Sequence, residues 1–223
     1  MRLVDFVPLI SNMPVGNQAF ASKSSTWSPY DQGQDLAGAA LRSVFGGSNE
    51  VFLSRSDLRM LALKDELAEF IIATAIWAYP GGMRGHNFAS LVYHLRDLSQ
   101  LLKLARSEPI SDWLSHYDRV KPIKGVGLST YTKLLHFLSV EVQGHTAEIL
   151  DQRIIDVARS KVFDELASLK DLRPDNAPQN YLEYLECLQN LGKQLSVPTE
   201  NIEIFLFEFG LHLKPTKGGW PGL

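Results

Sequence analysis

The chain has 223 residues, of which 45% are hydrophobic and 21% charged, and this composition excludes an intrinsically disordered chain. No apolar run reaches the roughly 18 residues that a membrane span needs, and the N-terminus lacks the pattern of a secretory signal. The single cysteine, Cys187, excludes an intramolecular disulfide and a four-cysteine iron–sulfur cluster, and the net charge of −3 counts against a nucleic-acid protein that relies on a basic surface.

The first half of the chain predicts a loop-rich segment followed by helices. Residues 1–50 are rich in Ser, Gly, Asn and Pro, and only 35–45 show a short helical pattern. A capping serine at Ser56, an acidic first turn and apolar residues at helical spacing predict one helix that ends before Pro80. A glycine-rich turn at 81–87 comes next. An amphipathic helix over 87–108 and a short capped helix from 111 follow.

The second half continues in the same way, with helices predicted after the turn at 123–127 and over 150–166, 177–195 and 198–214. Strand signals are scarce, and no repeat of fixed period occurs. The sequence therefore predicts an all-α fold, divided into a loop-rich segment at 1–50 and a helical domain at 51–223.

The strongest local signal is a hairpin at residues 123–130. Two glycines separated by one apolar residue are expected to let the backbone adopt positive φ and approach a ligand. The first N–H groups of the following helix would then bind an anion such as a DNA phosphate, and nearby lysines would add diffuse attraction. The alternative is a tight helix–helix connection. The candidate phosphate-binding residues are Lys124, Gly125, Gly127, Ser129 and Thr130.

The hairpin and the segments around it resemble the helix–hairpin–helix, Gly-Pro-Asp superfamily of DNA glycosylases. The closer similarity is to bacterial proteins with the 8-oxoguanine DNA glycosylase fold. The motifs of this chain that carry the similarity are Thr132-Lys-Leu-Leu-His-Phe137, Ile149-Leu-Asp-Gln-Arg-Ile154, Gly81-Gly-Met-Arg-Gly85 and Glu203-Ile-Phe-Leu-Phe-Glu-Phe-Gly210. The resemblance covers residues 56–213 and implies a helical bundle with a cleft between two helical subdomains.

The resemblance implies that Asp151, within the segment 147–156, is the catalytic carboxylate. In the family, this Asp follows the hairpin by about two dozen residues, at the start of another helix. Breaking an N-glycosidic bond leaves positive charge on the sugar, which a carboxylate stabilises, and the same group can deprotonate a nucleophile. The structural alternative is an N-cap for the helix that begins at Gln152, and the two roles are compatible.

Lys133 is the candidate for a second catalytic role. Bifunctional family members have a catalytic lysine two residues after the second hairpin glycine, where this chain has Ser129. Lys133 lies one helical turn further on, and its separation from Asp151 (151 − 133 = 18) is close to the family spacing. As a neutral amine it would form a Schiff base with the sugar and cleave the strand. The alternative is an exposed lysine in a monofunctional enzyme.

Further candidate residues lie around the glycine-rich turn at 81–87 and within the motifs at 132–137 and 149–154. Trp77, Tyr79 and His136 are assigned to a pocket for the flipped base, with core packing as the alternative for Trp77. Arg84 would bind a phosphate or a base edge, and Arg153 would contact a phosphate or an acidic neighbour. The histidines lack companion ligands at metal spacing, so no metal or other cofactor is expected.

The predicted function is a DNA glycosylase that flips and excises a damaged base, with an 8-oxoguanine-like purine as the default substrate. Its partner would be double-stranded DNA, and we expect a cytoplasmic, nucleoid-associated monomer without membrane contact. An alkylated base or a modified base in phage DNA remains an alternative substrate. A non-catalytic DNA-binding module is the alternative of a different class, and Asp151 in the family's catalytic place counts against it.

Overall fold

The protein is described by a computed structural model that covers residues 1–31 and 35–213. It is predominantly helical, which confirms the predicted all-α class. The α-helices are α1 (Val7–Ser11), α2 (Ser24–Trp27), α3 (Leu36–Phe45), α4 (Arg55–Ala62), α5 (Ala68–Ala78), α6 (Asn87–Tyr93), α7 (Leu95–Ser107), α8 (Trp113–Asp118), α9 (Leu128–Phe137), α10 (Gln152–Ser160), α11 (Tyr181–Leu195) and α12 (Thr199–Phe209). The strands are β1 (Ala19–Lys23), β2 (Glu50–Ser54), β3 (Glu141–Val142) and β4 (His145–Thr146).

The chain divides into two compact units. One unit contains residues 16–147, and the other combines residues 1–15 with the chain from Glu148 onward. The unit boundaries therefore lie at residues 15 and 147, whereas the sequence suggested a division at residue 50. Among the described residues, no helix has the length and apolar character of a membrane span.

The unit of residues 16–147 is built around α5. The sequence of this helix is apolar on every side, so nearly all of it is buried, and it packs against α3, α4, α7, α9 and strand β1. Strands β1 and β2 pair antiparallel, with Ala19 opposite Ser54 and Lys23 opposite Glu50. The predicted short helix at 35–45 is confirmed as α3, capped by Asp35.

The predicted single helix from Ser56 to Pro80 is wrong, because the structure contains two helices, α4 and α5. The cap is Ser54 rather than Ser56, and it forms a reciprocal capping box with Asp57. In a continuous helix, Leu63 and Leu67 would share a face, yet Leu63 is 76% exposed and Leu67 is fully buried. The break between α4 and α5 turns Leu67 into the core.

Two other predicted helices are also shorter than expected. The helix over 87–108 is divided at His94 into α6 and α7. The helix over 150–166 ends at Ser160, because Lys161 adopts the left-handed conformation with φ +56° and the chain turns to bury Val162 and Phe163.

The second unit packs α10, α11 and α12 around an aromatic cluster of Phe6, Phe163 and Phe205. The N-terminus joins it through Met1, whose amino group donates to the carbonyl of Val162. Helix α12 forms where a helix over 198–214 was predicted, but it ends at Phe209, and residue 214 lies outside the described residues. Phe205 is its fully buried aromatic residue.

Candidate functional site

The hairpin is a tight turn between α8 and α9, as predicted. Gly125 has φ +88°, and a Cβ atom there would lie 2.0 Å from the carbonyl oxygen of Asn87 at the start of α6. Only glycine fits this position, because both the backbone conformation and the contact exclude a side chain. Ile123 and Val126 are buried and anchor the turn, and the N–H of Val126 donates to the carbonyl of Ile123 at 3.1 Å.

Gly127 differs from Gly125, and the expectation of positive φ is wrong for it. It is the N-cap of α9 with φ −78° and ψ 174°, and apart from Gly127 and its two chain neighbours no described atom lies within 4 Å of the place where its Cβ would be. No side chain among the described residues caps α9. The first N–H groups of α9 therefore have no side-chain cap, and the side of Gly127 on which a Cβ would lie is open.

Lys133 is buried on α9, so the alternative of an exposed lysine is wrong. The residue is 6% exposed, and its neighbours Leu134 and Leu135 are fully buried. Its Nζ donates to the hydroxyl of Ser129 at 2.8 Å and approaches the Ser129 carbonyl oxygen at 3.4 Å. The amine of Lys133 thus reaches back one turn to the side chain of residue 129.

Tyr79 and Thr130 contact each other through their hydroxyl groups, whose oxygens lie 3.0 Å apart. Tyr79 follows the last residue of α5 and is half-buried, whereas Thr130 is buried. The side chain of Thr130 is therefore engaged within the protein, and its part in phosphate binding would fall to its backbone N–H.

Trp77 lies in the core of the unit of residues 16–147. It is 4% exposed, its ring meets those of Phe20 and Phe137 edge-on, and the guanidinium of Arg55 lies 5.6 Å from the ring centroid. Its indole N–H donates to the carbonyl of Gln18 at 3.3 Å. This packing favours the structural alternative for Trp77 over a base-stacking role, which stays a prediction.

His136 is also buried, with both ring nitrogens facing protein groups. Its Nδ1 lies 3.0 Å from the carbonyl oxygen of Ala147, and its Nε2 lies 3.5 Å from a guanidinium nitrogen of Arg59. A carbonyl only accepts and a guanidinium only donates, so of the two neutral tautomers this geometry favours the one with the proton on Nδ1. The assignment of His136 to a base pocket stays a prediction.

Two of the predicted phosphate contacts are exposed cations. Arg84 lies in the glycine-rich turn, which is confirmed, and Lys124 precedes Gly125. Among the described residues, neither side chain forms an ion pair, so both are accessible to an anionic ligand. Gly125 brings the hairpin against the start of α6, immediately after the turn that carries Arg84.

Asp151 is the N-cap of α10, as its sequence position suggested. Its Oδ1 accepts from the backbone N–H groups of Arg153 at 3.0 Å and Ile154 at 3.1 Å. The residue is half-buried. These two bonds hold the carboxylate against the first turn of α10, where the helix dipole favours negative charge.

Arg153 contacts other groups than those predicted. Its guanidinium lies 5.0 Å from the ring centroid of Phe207, and one terminal nitrogen lies 3.1 Å from Nε2 of His212. Within the described part of the chain, the groups beside the Arg153 guanidinium are thus an aromatic ring and an imidazole rather than an acidic side chain. A contact between Arg153 and a phosphate stays a prediction.

Sequence reasoning missed two tyrosines that hold the chain before Asp151. The hydroxyl of Tyr181 donates to the carbonyl of Glu148, and that of Tyr184 to the carbonyl of Ile149, each at 2.7 Å. Burial raises the pKa of Tyr184 well above its usual value, and the carboxylates of Glu203 and Glu148 raise it further. The available signal was the spacing of three residues, which places both tyrosines on one face of α11.

A pocket in the described part of the chain lies apart from the predicted site residues. A pocket of about 230 Å³ in the unit of residues 16–147 is lined by Trp27, Leu41 and Phe45, and by none of the predicted pocket residues. Within the described part of the chain, no group of three or more His, Cys, Asp or Glu side chains is arranged to hold a metal ion.

Comparison with known proteins identifies one family. A family model described as putative 8-oxoguanine DNA glycosylase OGG-like protein matches residues 13–207, which include the hairpin, Lys133 and Asp151. No curated protein and no solved structure matches the chain.

Proposed function

The chain belongs to this OGG-like family of DNA glycosylases, and on that premise we propose that it excises an oxidised purine, such as 8-oxoguanine, from double-stranded DNA. The observation that carries the proposal is the carboxylate of Asp151, fixed at the start of α10 by two backbone N–H groups. A base must leave the stack before it can be cut from the sugar, and the protein must then stabilise the charge that remains.

Asp151 supplies that stabilisation. As the bond between base and sugar breaks, positive charge develops on the sugar, and a carboxylate held in place lowers the energy of this state without having to reorganise. The base leaves with the bonding electrons and takes up a proton. Asp151 then accepts a proton from the nucleophile that attacks the sugar.

The test is the substitution Asp151→Asn. Asparagine keeps the volume and is an equally good N-cap, so α10 should remain intact while the negative charge is lost. We expect the rate of base release to fall by about a hundredfold, which corresponds to about 2.7 kcal/mol of activation free energy. The matched control is Asp112→Asn, because Asp112 caps α8 in the same way. Normal base release by a folded Asp151→Asn variant would refute the assignment.

We assign a strand-cleaving step to Lys133. Its neutral amine would attack the sugar carbon as the base departs, and ring opening would then leave a Schiff base that allows elimination of the 3′ phosphate. Lys133 is 6% exposed and lies beside the buried Leu134 and Leu135, so its amine is shielded from bulk water, which supports this role. The hydroxyl of Ser129 orients the amine from 2.8 Å.

Borohydride trapping tests the assignment of Lys133. The wild-type protein should form a covalent adduct with DNA on reduction, and Lys133→Gln should form none. The control Lys103→Gln, which changes a partly exposed lysine of α7, should trap normally. Adduct formation by Lys133→Gln would point to another amine, with Lys124 as the next candidate. Base release without any trapping would mean that water is the nucleophile.

The hairpin would bind the DNA backbone beside the lesion. The first turn of α9 offers backbone N–H groups next to Gly127, and Lys124 and Arg84 add positive charge.

A panel of duplexes that contain oxidised, alkylated or phage-type modified bases identifies the excised base. After incubation with the protein, each duplex is treated with alkali, and strand breaks are detected. Binding without base release on every duplex would favour a non-catalytic DNA-binding module.

A further inference from the structure

The segment that leads into Asp151 is buried and lies outside any sheet. Glu148 is 3% exposed, and Ile149 and Leu150 are each 1% exposed, yet the segment belongs to neither a helix nor a strand. Its carbonyl groups have no ladder of backbone hydrogen bonds to join. Buried carbonyl groups need hydrogen-bond donors, so the groups that donate to this segment determine the path of its backbone.

Two of those donors come from one face of α11. Tyr181 donates to the Glu148 carbonyl and Tyr184 to the Ile149 carbonyl, each at 2.7 Å, which is a short and favourable distance for a hydroxyl donor. Both tyrosines are fully buried, and their rings stack with centroids 6.2 Å apart. We call this arrangement, formed by Tyr181 and Tyr184 on the carbonyls of Glu148 and Ile149, the tyrosine clamp.

Helix α12 adds a third contact, because the hydroxyl of Thr199 donates to the side-chain carboxylate of Glu148. The Tyr184 hydroxyl of the clamp also stays protonated near neutral pH. The usual pKa of a tyrosine is 10.0, and burial, together with the carboxylates of Glu203 and Glu148, raises that of Tyr184 further. Its hydroxyl therefore continues to donate.

From this geometry we infer that Tyr181 and Tyr184 are positioning residues for base release, which act by holding the carboxylate of Asp151 in place. The clamp fixes the backbone up to Ile149, and the capping bonds fix the carboxylate to α10, so Asp151 is constrained on both sides. The inference rests on the proposed function of Asp151. A misplacement of about 1 Å typically costs on the order of a hundredfold in rate, so a partial loss of the clamp should cost about tenfold.

The substitutions Tyr181→Phe and Tyr184→Phe test this role, because each removes one hydroxyl and keeps the ring. Under single-turnover conditions we expect about a tenfold slower release of the base for each, with unchanged affinity for the duplex. The matched control is Tyr131→Phe, an equally buried tyrosine whose hydroxyl contacts His116, and its rate should equal that of the wild type. In the Asp151→Asn background, Tyr184→Phe should cause no further loss.

Hydrogen exchange supplies a measurement that does not depend on activity. The amides of Arg153 and Ile154 report the capping bonds to Asp151, and in Tyr184→Phe we expect them to exchange about tenfold faster, while those of Tyr131→Phe do not change. Unchanged exchange in both clamp variants would overturn the inference. A lower melting temperature with normal base release would also overturn it, because the tyrosines would then be merely structural. Faster exchange in a protein that releases no base from any duplex would instead refute the proposed function.

Discussion

Gly125→Ala should destabilise the protein strongly, because the new methyl group has no space. The added Cβ would lie 2.0 Å from the carbonyl oxygen of Asn87, whereas ordinary contacts begin at 3.4 Å, so a gap of 3.4 − 2.0 = 1.4 Å must open. Both groups belong to backbone, which cannot swing aside as a side chain would. Overpacking of this kind costs about 1–3 kcal/mol, and φ +88° adds roughly 1–2 kcal/mol for a residue with a Cβ.

The expected loss in the free energy of unfolding is therefore about 3 kcal/mol, or a decrease of roughly 6–12 °C in melting temperature. Gly127→Ala is the matched control two residues away, because its φ is −78° and nothing lies within 4 Å of the added methyl. Its stability should stay within about 0.5 kcal/mol of the wild type, while its DNA affinity falls because the methyl group occupies the approach to α9. Urea denaturation and duplex titration measure both effects. A Gly125→Ala variant within about 1 kcal/mol of the wild type would refute the described packing of the hairpin on α6.

Three further predictions follow from other contacts. Gly210→Ala should lower the free energy of unfolding in urea by about 2 kcal/mol, because its Cβ would lie 2.6 Å from a methyl group of Val157 on α10; an unaffected midpoint would contradict this. Burial, and to a lesser extent Arg119, lowers the pKa of His116 below its usual 6.5, so its contribution to stability is complete above pH 6.5 and is lost as the pH falls through the folded-state pKa. Urea titrations at several pH values should therefore show a shallower acid-side decline in His116→Gln, and an identical decline would exclude this source. DNA affinity should depend on salt with a log–log slope equivalent to only a few released counterions, because backbone amides supply part of the phosphate binding; a slope equivalent to about ten would contradict this.

The sequence best predicted the structural features that depend on residues close together in the chain, such as turns and helix caps. Turn residues and caps act over a few positions, so the hairpin, the cap at Asp151 and helices α3, α11 and α12 could be predicted from local patterns. The hydrophobic period also predicts α4 and α5, but it does not show where a helix stops. The break that exposes Leu63 and buries Leu67 depends on the shape of the core they meet.

The amino-acid sequence by itself determined the all-α class, the hairpin before α9 and the place of the catalytic carboxylate candidate at the start of α10, because each is encoded within a turn or two of chain. Only the tertiary structure decided which side chains are buried and what they contact. It placed Lys133 in an apolar setting against Ser129, packed Trp77 into the core, and brought Tyr181 and Tyr184 to carbonyls more than thirty positions away. The physical reason is that burial and long-range hydrogen bonds arise from the packing of whole helices, which no local pattern records.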